Sequence, residues 1–223
     1  MSYTVLLLAV LGALALARPH LAGWFKTSAR KRTIIRAPQQ LLFSRPTICD
    51  ALPPLEASTS GATPPAYQVS EDDWRQVEFI APTDVAGVAR ELTKLALFMQ
   101  KERVGPGWKS VYIRKNQPKP LRSLHIPLAA LQGALSGATL RPLAIATAVT
   151  HRLVVGGFAV DLAPNVVLYG EAPDGVVASL SIASQVAAER SLVAPTLATI
   201  CAGFGIRLVD WCRAAWVEFG PST

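Results

Sequence analysis

Side chains that most often do acid/base or metal chemistry are few in this chain: three histidines, three cysteines and fifteen carboxylates. A zinc site needs His and Cys at short, repeated spacing. His20, His125 and His151 are scattered, and no CxxC or HExxH occurs. His125 precedes Ile126-Pro127 and His151 precedes Arg152, which makes these two the candidate general bases of any enzyme built here. No P-loop or GxGxxG is present. The run Gly133-Ala134-Leu135-Ser136-Gly137 sets its serine one place too late for a nucleophile elbow, so Ser136 reads as a helix-end residue. Asp161 and Glu171 could form an acid/base pair, but a charge guarding a strand edge is the ordinary reading of each. Glu71-Asp72-Asp73 after Ser70 has the spacing of helix-start chemistry, or of a dock for a basic partner such as the Lys26–Arg36 cluster. Cys201 and Cys212 are predicted on one helix face, about 16 Å apart along the axis, too far to bond within it. They read as apolar core thiols. No cofactor or metal is expected, catalytic residues are unassigned, and the chain leans toward a non-enzymatic role.

Charge is more informative than chemistry. The first 49 residues carry Arg18, Lys26, Arg30, Lys31, Arg32, Arg36 and Arg45 with no acid, which accounts for the whole net charge of +7. The pI of 9.7 therefore does not describe a basic folded face, and nucleic acid is an unlikely partner on that ground. Directly before the cluster, Val5 to Ala17 contains no polar side chain. An uncleaved anchor is the leading reading, with the basic cluster keeping the domain cytoplasmic. The uninterrupted run is short, about 20 Å against a hydrocarbon core of about 30 Å, but Leu21, Ala22, Trp24 and Phe25 extend it past Arg18-Pro19-His20. The rivals are a signal cleaved after Ala15-Leu16-Ala17, an organelle transit peptide, and a buried helix of a soluble protein. Lys26, Arg30, Lys31, Arg32 and Arg36, with Trp24 and Phe25 at the interface, are the candidate contacts to anionic lipid, at roughly 1 kcal/mol per basic residue.

These segments must be joined to a domain. Six prolines and the run Ala57 to Thr63 make residues 38–69 read as a tether. From Ser70 the pattern becomes regular. Val77, Phe79 and Ala81 alternate as a strand. Val85, Val88, Ala89, Leu92, Leu95, Ala96 and Met99 follow at helical spacing, with Thr83 as N-cap and Gly105-Pro106-Gly107 as the stop. Lys109–Lys115 reads as a second strand, residues 121–126 as a possible third, and Pro127 opens a short helix ending near Gly137. Pro142 to Val155 is apolar all round, with a buried helix ending at Gly156-Gly157 favoured over a strand. Phe158–Leu162, Val166–Tyr169 and Val176–Ile182 read as a meander, with turns at Pro164-Asn165 and Pro173-Asp174-Gly175. Leu197, Ile200, Cys201, Phe204, Leu208, Trp211 and Cys212 form the stripe of a C-terminal helix. Residues 192–206 are apolar enough to raise a second membrane segment, although a packed helix is favoured.

The resulting expectation is an α+β chain. It has an apolar anchor over residues 1–25, a basic then Pro-rich linker over 26–69, and a domain over 70–220 with a β-α-β opening, a three-strand antiparallel meander and a C-terminal helix. Trp211 and Trp216 point in different directions on one helix, so Leu208, Trp211, Trp216 and Phe219 are the expected docking patch for a protein partner or a second copy. The functional expectation is a single-pass, membrane-tethered binding or accessory subunit at the cytoplasmic face. Its alternatives are a membrane-proximal enzyme and an envelope protein released by cleavage.

Overall fold

The computed structural model describes residues 34–36, 42–57, 65–148, 150–184 and 187–219. Contacts divide the chain into Met1–Thr33 and Ile34–Thr223. The first unit, and with it the expected anchor, lies outside the described residues. The second unit is mixed α+β, with one large sheet and few helices.

In chain order its elements are strands β1 (Ile34–Arg36), β2 (Thr47–Cys49), β3 (Leu55–Ala57), β4 (Tyr67–Ser70) and β5 (Val77–Ile80), then helix α1 (Val85–Glu102). A short hairpin, β6 (Arg103–Val104) and β7 (Gly107–Trp108), leads to β8 (Ser110–Arg114) and helix α2 (Leu128–Ala134). Then come β9 (Arg141–Ala146), β10 (His151–Ala163), β11 (Val166–Glu171) and β12 (Ser179–Ser184). Helices α3 (Ala187–Leu192) and α4 (Ala194–Phe204) precede β13 (Arg207–Asp210) and β14 (Ala215–Trp216).

The large sheet runs β14-β13-β5-β12-β11-β10-β9-β4, with β3 added beside β10. A second sheet runs β1-β8-β2. Strands β10, β11 and β12 are consecutive antiparallel neighbours, turned by Asn165 and by Asp174-Gly175, all three at positive φ. Asn, Asp and Gly tolerate that region with little penalty, which is why these turns were readable in the sequence.

Several expectations need correction. Strands β5 and β8 do flank a helix, but they enter different sheets. Residues 121–124 form a 3-10 turn rather than a strand. Pro142 to Val155 contributes strands β9 and β10, not a buried helix; in β9 Leu143, Ala144 and Ile145 are buried in succession, so the alternation of a half-exposed strand is lost there. Gly156, at φ 66°, kinks β10 where its neighbour changes from β3 to β11. The C-terminal helix stops at Phe204, capped by Gly205 at φ 65°, and Leu208 and Trp211 belong to a strand and the 3-10 turn after it. Helix α4 has 11 residues, and among the described residues no helix is long and apolar enough to cross a membrane. Where composition suggests a tether, Thr47 and Cys49 are buried in β2, and β3 and β4 pair with β10 and β9.

In sheet order, β5 and β4 are separated by β12, β11, β10 and β9. Laid flat, they would stand about 24 Å apart. Only residues 71–76 connect them, and a 3-10 turn takes up Glu71–Asp73. That connection reaches about 20 Å at most. The sheet therefore curls around it. Trp74 packs inside the curl, 5.5 Å from the Tyr169 ring, with Val69, Ile145, Val154 and Val167 around them. The Tyr169 hydroxyl accepts from the Arg75 amide (2.9 Å) and donates to the Asp73 carbonyl (3.2 Å), pinning the connection to β11.

The opposite face buries Phe79, Leu168, Leu180 and Leu208 against Leu131 of α2 and Leu197 and Ile200 of α4. Beyond β5, Ile80, Val209 and Trp211 pack on Val88, Leu92, Leu95 and Phe98 of α1. Glu91, expected off the apolar stripe, is buried too. Burial pushes its carboxyl up, but hydrogen bonds from Tyr112, Lys94 and Asn116 outweigh it and hold the pKa below the ordinary value.

Two outcomes test this packing. A Cβ on Gly170 would run into the backbone of Ser179 and Leu180 in the neighbouring strand. Gly170→Ala is therefore expected to cost about 3 kcal/mol in urea denaturation. Glu171 accepts from Ser179 Oγ at 2.8 Å, and burial raises its carboxyl pKa against the pull of Ser179 and Arg75. With the folded value above the unfolded one, its stabilising effect is full below the unfolded pKa and is lost as pH rises through the folded pKa. Glu171→Gln should therefore raise Tm at pH 8 and change it little at pH 4.

Candidate functional site

Strand ends at one mouth of the curled sheet enclose a cleft of about 620 Å³, a size suited to a small ligand or a peptide end. Its floor is apolar, from Val69, Val77, Val167 and Ile182. Its walls carry four arginines, Arg45, Arg141, Arg190 and Arg213, and three aspartates, Asp73, Asp161 and Asp210.

Every aspartate is partnered. Arg45 reaches Asp73 from the loop before β2, and Arg141 of β9 pairs with Asp161 of β10. The Arg141 guanidinium also lies over the Tyr67 ring, 4.8 Å from its centroid. Asp210 closes β13 and is 4% exposed. Its Oδ1 accepts from the Arg213 amide (3.2 Å), and its Oδ2 is ion-paired with Arg190 Nη1 at 2.8 Å. Arg213 Nε stands 3.7 Å from the same oxygen, beyond hydrogen-bond length, and this side chain is 61% exposed. Burial raises the Asp73 carboxyl, with Arg45 opposing it, and burial together with Asp210 raises the Cys212 thiol. Cys212 donates to Gln76 Oε1 at 3.5 Å, and Gln76 Nε2 donates to the Thr47 carbonyl at 2.8 Å, so the cleft wall is tied to β2.

Arg190, Asp210 and Arg213 also line a second, apolar groove of about 300 Å³. Its walls include Ala194 and Leu197 of α4 and Trp216, Val217 and Phe219 at the end of the sheet. The ion-paired trio is the partition between a polar cleft and an apolar groove.

The docking patch read from the sequence is split by the fold. Leu208 and Trp211 are each 1% exposed. Trp216, under the Arg207 guanidinium at 4.4 Å, and Phe219 are half-buried beside the groove. Arg36 ends β1 opposite Ser110, while Trp24, Phe25, Lys26, Arg30, Lys31 and Arg32 lie outside the described residues. His125 is exposed, its Nδ1 3.1 Å from the Ser123 carbonyl, and His151 is exposed at the start of β10. Neither lines the cleft or the groove. Asp161 faces Val167 and Glu171 faces Gly157 across the β10–β11 ladder. That puts them about 14 Å apart along the strands, too far for an acid/base pair. Cys201, on α4, has its thiol pushed up to about 11 by burial. Among the described residues no group of three or more His, Cys, Asp or Glu is placed to hold a metal.

The sequence reading missed the cleft because its charges come from positions 45 to 213, with no spacing to link them. One local signal existed: Asp210 stands between Val209 and Trp211 in an apolar run, and a carboxylate there calls for a partner.

No family model, no curated protein and no solved structure matches the chain.

The two arginines of the trio should differ in their effect on folding. Arg190→Ala leaves Asp210 buried with only the distant Arg213 charge and is expected to cost about 3 kcal/mol. Arg213→Ala, at an exposed site, should cost under about 1 kcal/mol. Urea denaturation of the full chain in mild detergent compares them, and equal losses would contradict this ordering of the pairs.

Proposed function

We propose that this chain is a membrane-tethered, non-enzymatic binding or accessory subunit. Its N-terminal segment holds it at the cytoplasmic membrane face, and its cleft and groove recognise a ligand there. The observation that carries the reading is the walled cleft itself. Its charged side chains are set in Arg–Asp pairs, which fix guanidinium direction and favour recognition of a shaped, charged group. The two domain histidines, the candidate general bases of an enzyme, lie outside it on the surface. The apolar run before Ala17 and the basic cluster Lys26, Arg30, Lys31, Arg32 and Arg36 support the placement.

The test is topological. A cytoplasm-active and an export-active reporter are fused in turn after Thr223 of the full chain, with and without residues 1–25. Cytoplasmic reporter activity in the membrane fraction, lost on deletion, is the expected result. Changing the five basic residues of the cluster to Gln should weaken or invert that orientation. Export-reporter activity from the unaltered chain would overturn the placement and favour release into the envelope.

A further inference from the structure

We propose that the partition between cleft and groove is a binding site for a monocarboxylate with an apolar body, the carboxylate on Arg213 and the body in the groove of Val217 and Phe219. This rests on the binding reading above and names its ligand class.

Charge balance selects the head group. Four guanidiniums against three carboxylates leave the cleft at 4 − 3 = +1. Each aspartate already satisfies an arginine, and Asp210 holds Arg190 at 2.8 Å. The surplus is Arg213, whose side chain has one ionic neighbour at 3.7 Å and is 61% exposed. Its outer fork can donate parallel hydrogen bonds to both oxygens of a carboxylate. One negative charge brings the cleft to neutrality. A phosphate dianion would overshoot and lie among three aspartates, and an amine would meet the surplus cation.

The groove selects the rest of the ligand. It opens from the same trio and is lined by Ala194, Leu197, Val217 and Phe219, and by Glu218, whose charge Arg207 offsets at 3.3 Å so that the surplus of one cation stands. At about 300 Å³ it suits a branched chain of a few carbons. The fit is to the charged and apolar ends of one molecule. A free organic acid and the carboxyl terminus of a polypeptide share that chemistry.

The experiment uses the full chain in zwitterionic nanodiscs, titrated with soluble probes by calorimetry. N-acetyl-leucine stands for a chain terminus and 4-methylpentanoate for a free acid. N-acetyl-leucinamide lacks the charge, acetate lacks the body, and inorganic phosphate is the dianion. The two apolar carboxylates are expected to bind, with the amide, acetate and phosphate at least tenfold weaker. Arg213→Gln should cost tenfold or more for both carboxylates, about 1.4 kcal/mol. Phe219→Ala should weaken them while leaving acetate unchanged. Tighter binding of N-acetyl-leucine assigns the site to a polypeptide terminus, and the reverse order assigns it to a free acid. Equal binding of the amide, no effect of Arg213→Gln, or no heat from any carboxylate at 10 mM, about a 3 kcal/mol interaction at most, would overturn the proposal. Circular dichroism of Arg213→Gln keeps loss of binding distinct from loss of fold. Failure here leaves the membrane placement standing, because the reporters read that separately.

Discussion

A buried charge cluster holds the two sheets of the folded unit in one arrangement. Glu78 of β5 accepts from Arg75 Nε at 2.6 Å and from Trp211 Nε1 at 3.1 Å. Arg114 of β8 stacks on the Trp211 ring, 4.6 Å from its centroid, and donates to the Arg75 carbonyl at 2.9 Å. Arg114 is 1% exposed, and its Nε and Nη1 have no hydrogen-bond partner among the described residues. Burial, with the nearby Arg75 charge, lowers the Arg114 pKa, while at Arg75 Glu78, helped by Cys49 and Glu171, more than offsets the burial penalty. Such a cluster adds little net stability over an apolar core. It does penalise every arrangement that separates its members, because each would leave a charge uncompensated in the interior. The small sheet can sit only where Arg114 meets Trp211 and the field of Glu78.

That constraint propagates to the cleft. Docking β8 brings β2 with it through the parallel ladder and through the Thr47 hydroxyl, which donates to the Tyr112 carbonyl at 2.8 Å. β2 in turn receives Gln76, which holds Cys212. The loop before β2 carries Arg45 to Asp73. The residues that hold the core on one side of the β4–β5 connection thus set the cleft wall on the other. Curling the sheet around Trp74 then brings the strand ends of β4, β10, β11 and β13 to a common mouth. No single strand contains a site. The site is a consequence of closing the sheet.

The legible parts of this fold are those whose information is local. Helix α1 shows its apolar period, and the meander shows both alternation and turn residues that tolerate positive φ, so β10, β11 and β12 could be placed from sequence. The stretch from Pro142 to Val155 could not, because a strand covered on both faces has the same apolar look as a buried helix. Leu208, Trp211 and Cys212 continue the spacing of α4 by chance of composition, and only the left-handed Gly205 reveals the break. Residues 42–57 defeat composition altogether. Their prolines and small side chains resemble a tether, yet Thr47 and Cys49 are buried because β8 supplies a ladder that no local pattern announces. The cleft was illegible for the same reason in stronger form, since ion pairs such as Arg141–Asp161 and Arg190–Asp210 record tertiary closure and leave no spacing behind.

The basic N-terminal stretch and the cleft meet in one residue. Counted along the chain, Arg45 is the last of the seven cations that precede the first carboxylate, and it looks like the tail of a topological signal. In the fold it is a wall of the cleft, paired with Asp73. Without it the lining would hold three arginines and three aspartates and carry no net charge. Asp73 would then stand unpaired, and Arg213 would face an excess acid across the cleft. The surplus cation near Asp210 therefore depends on a residue delivered from the far end of the basic segment. Charge that a whole-chain count assigns to the N-terminal segment is in part built into the cleft, where it sets the sign of the field between the strand ends.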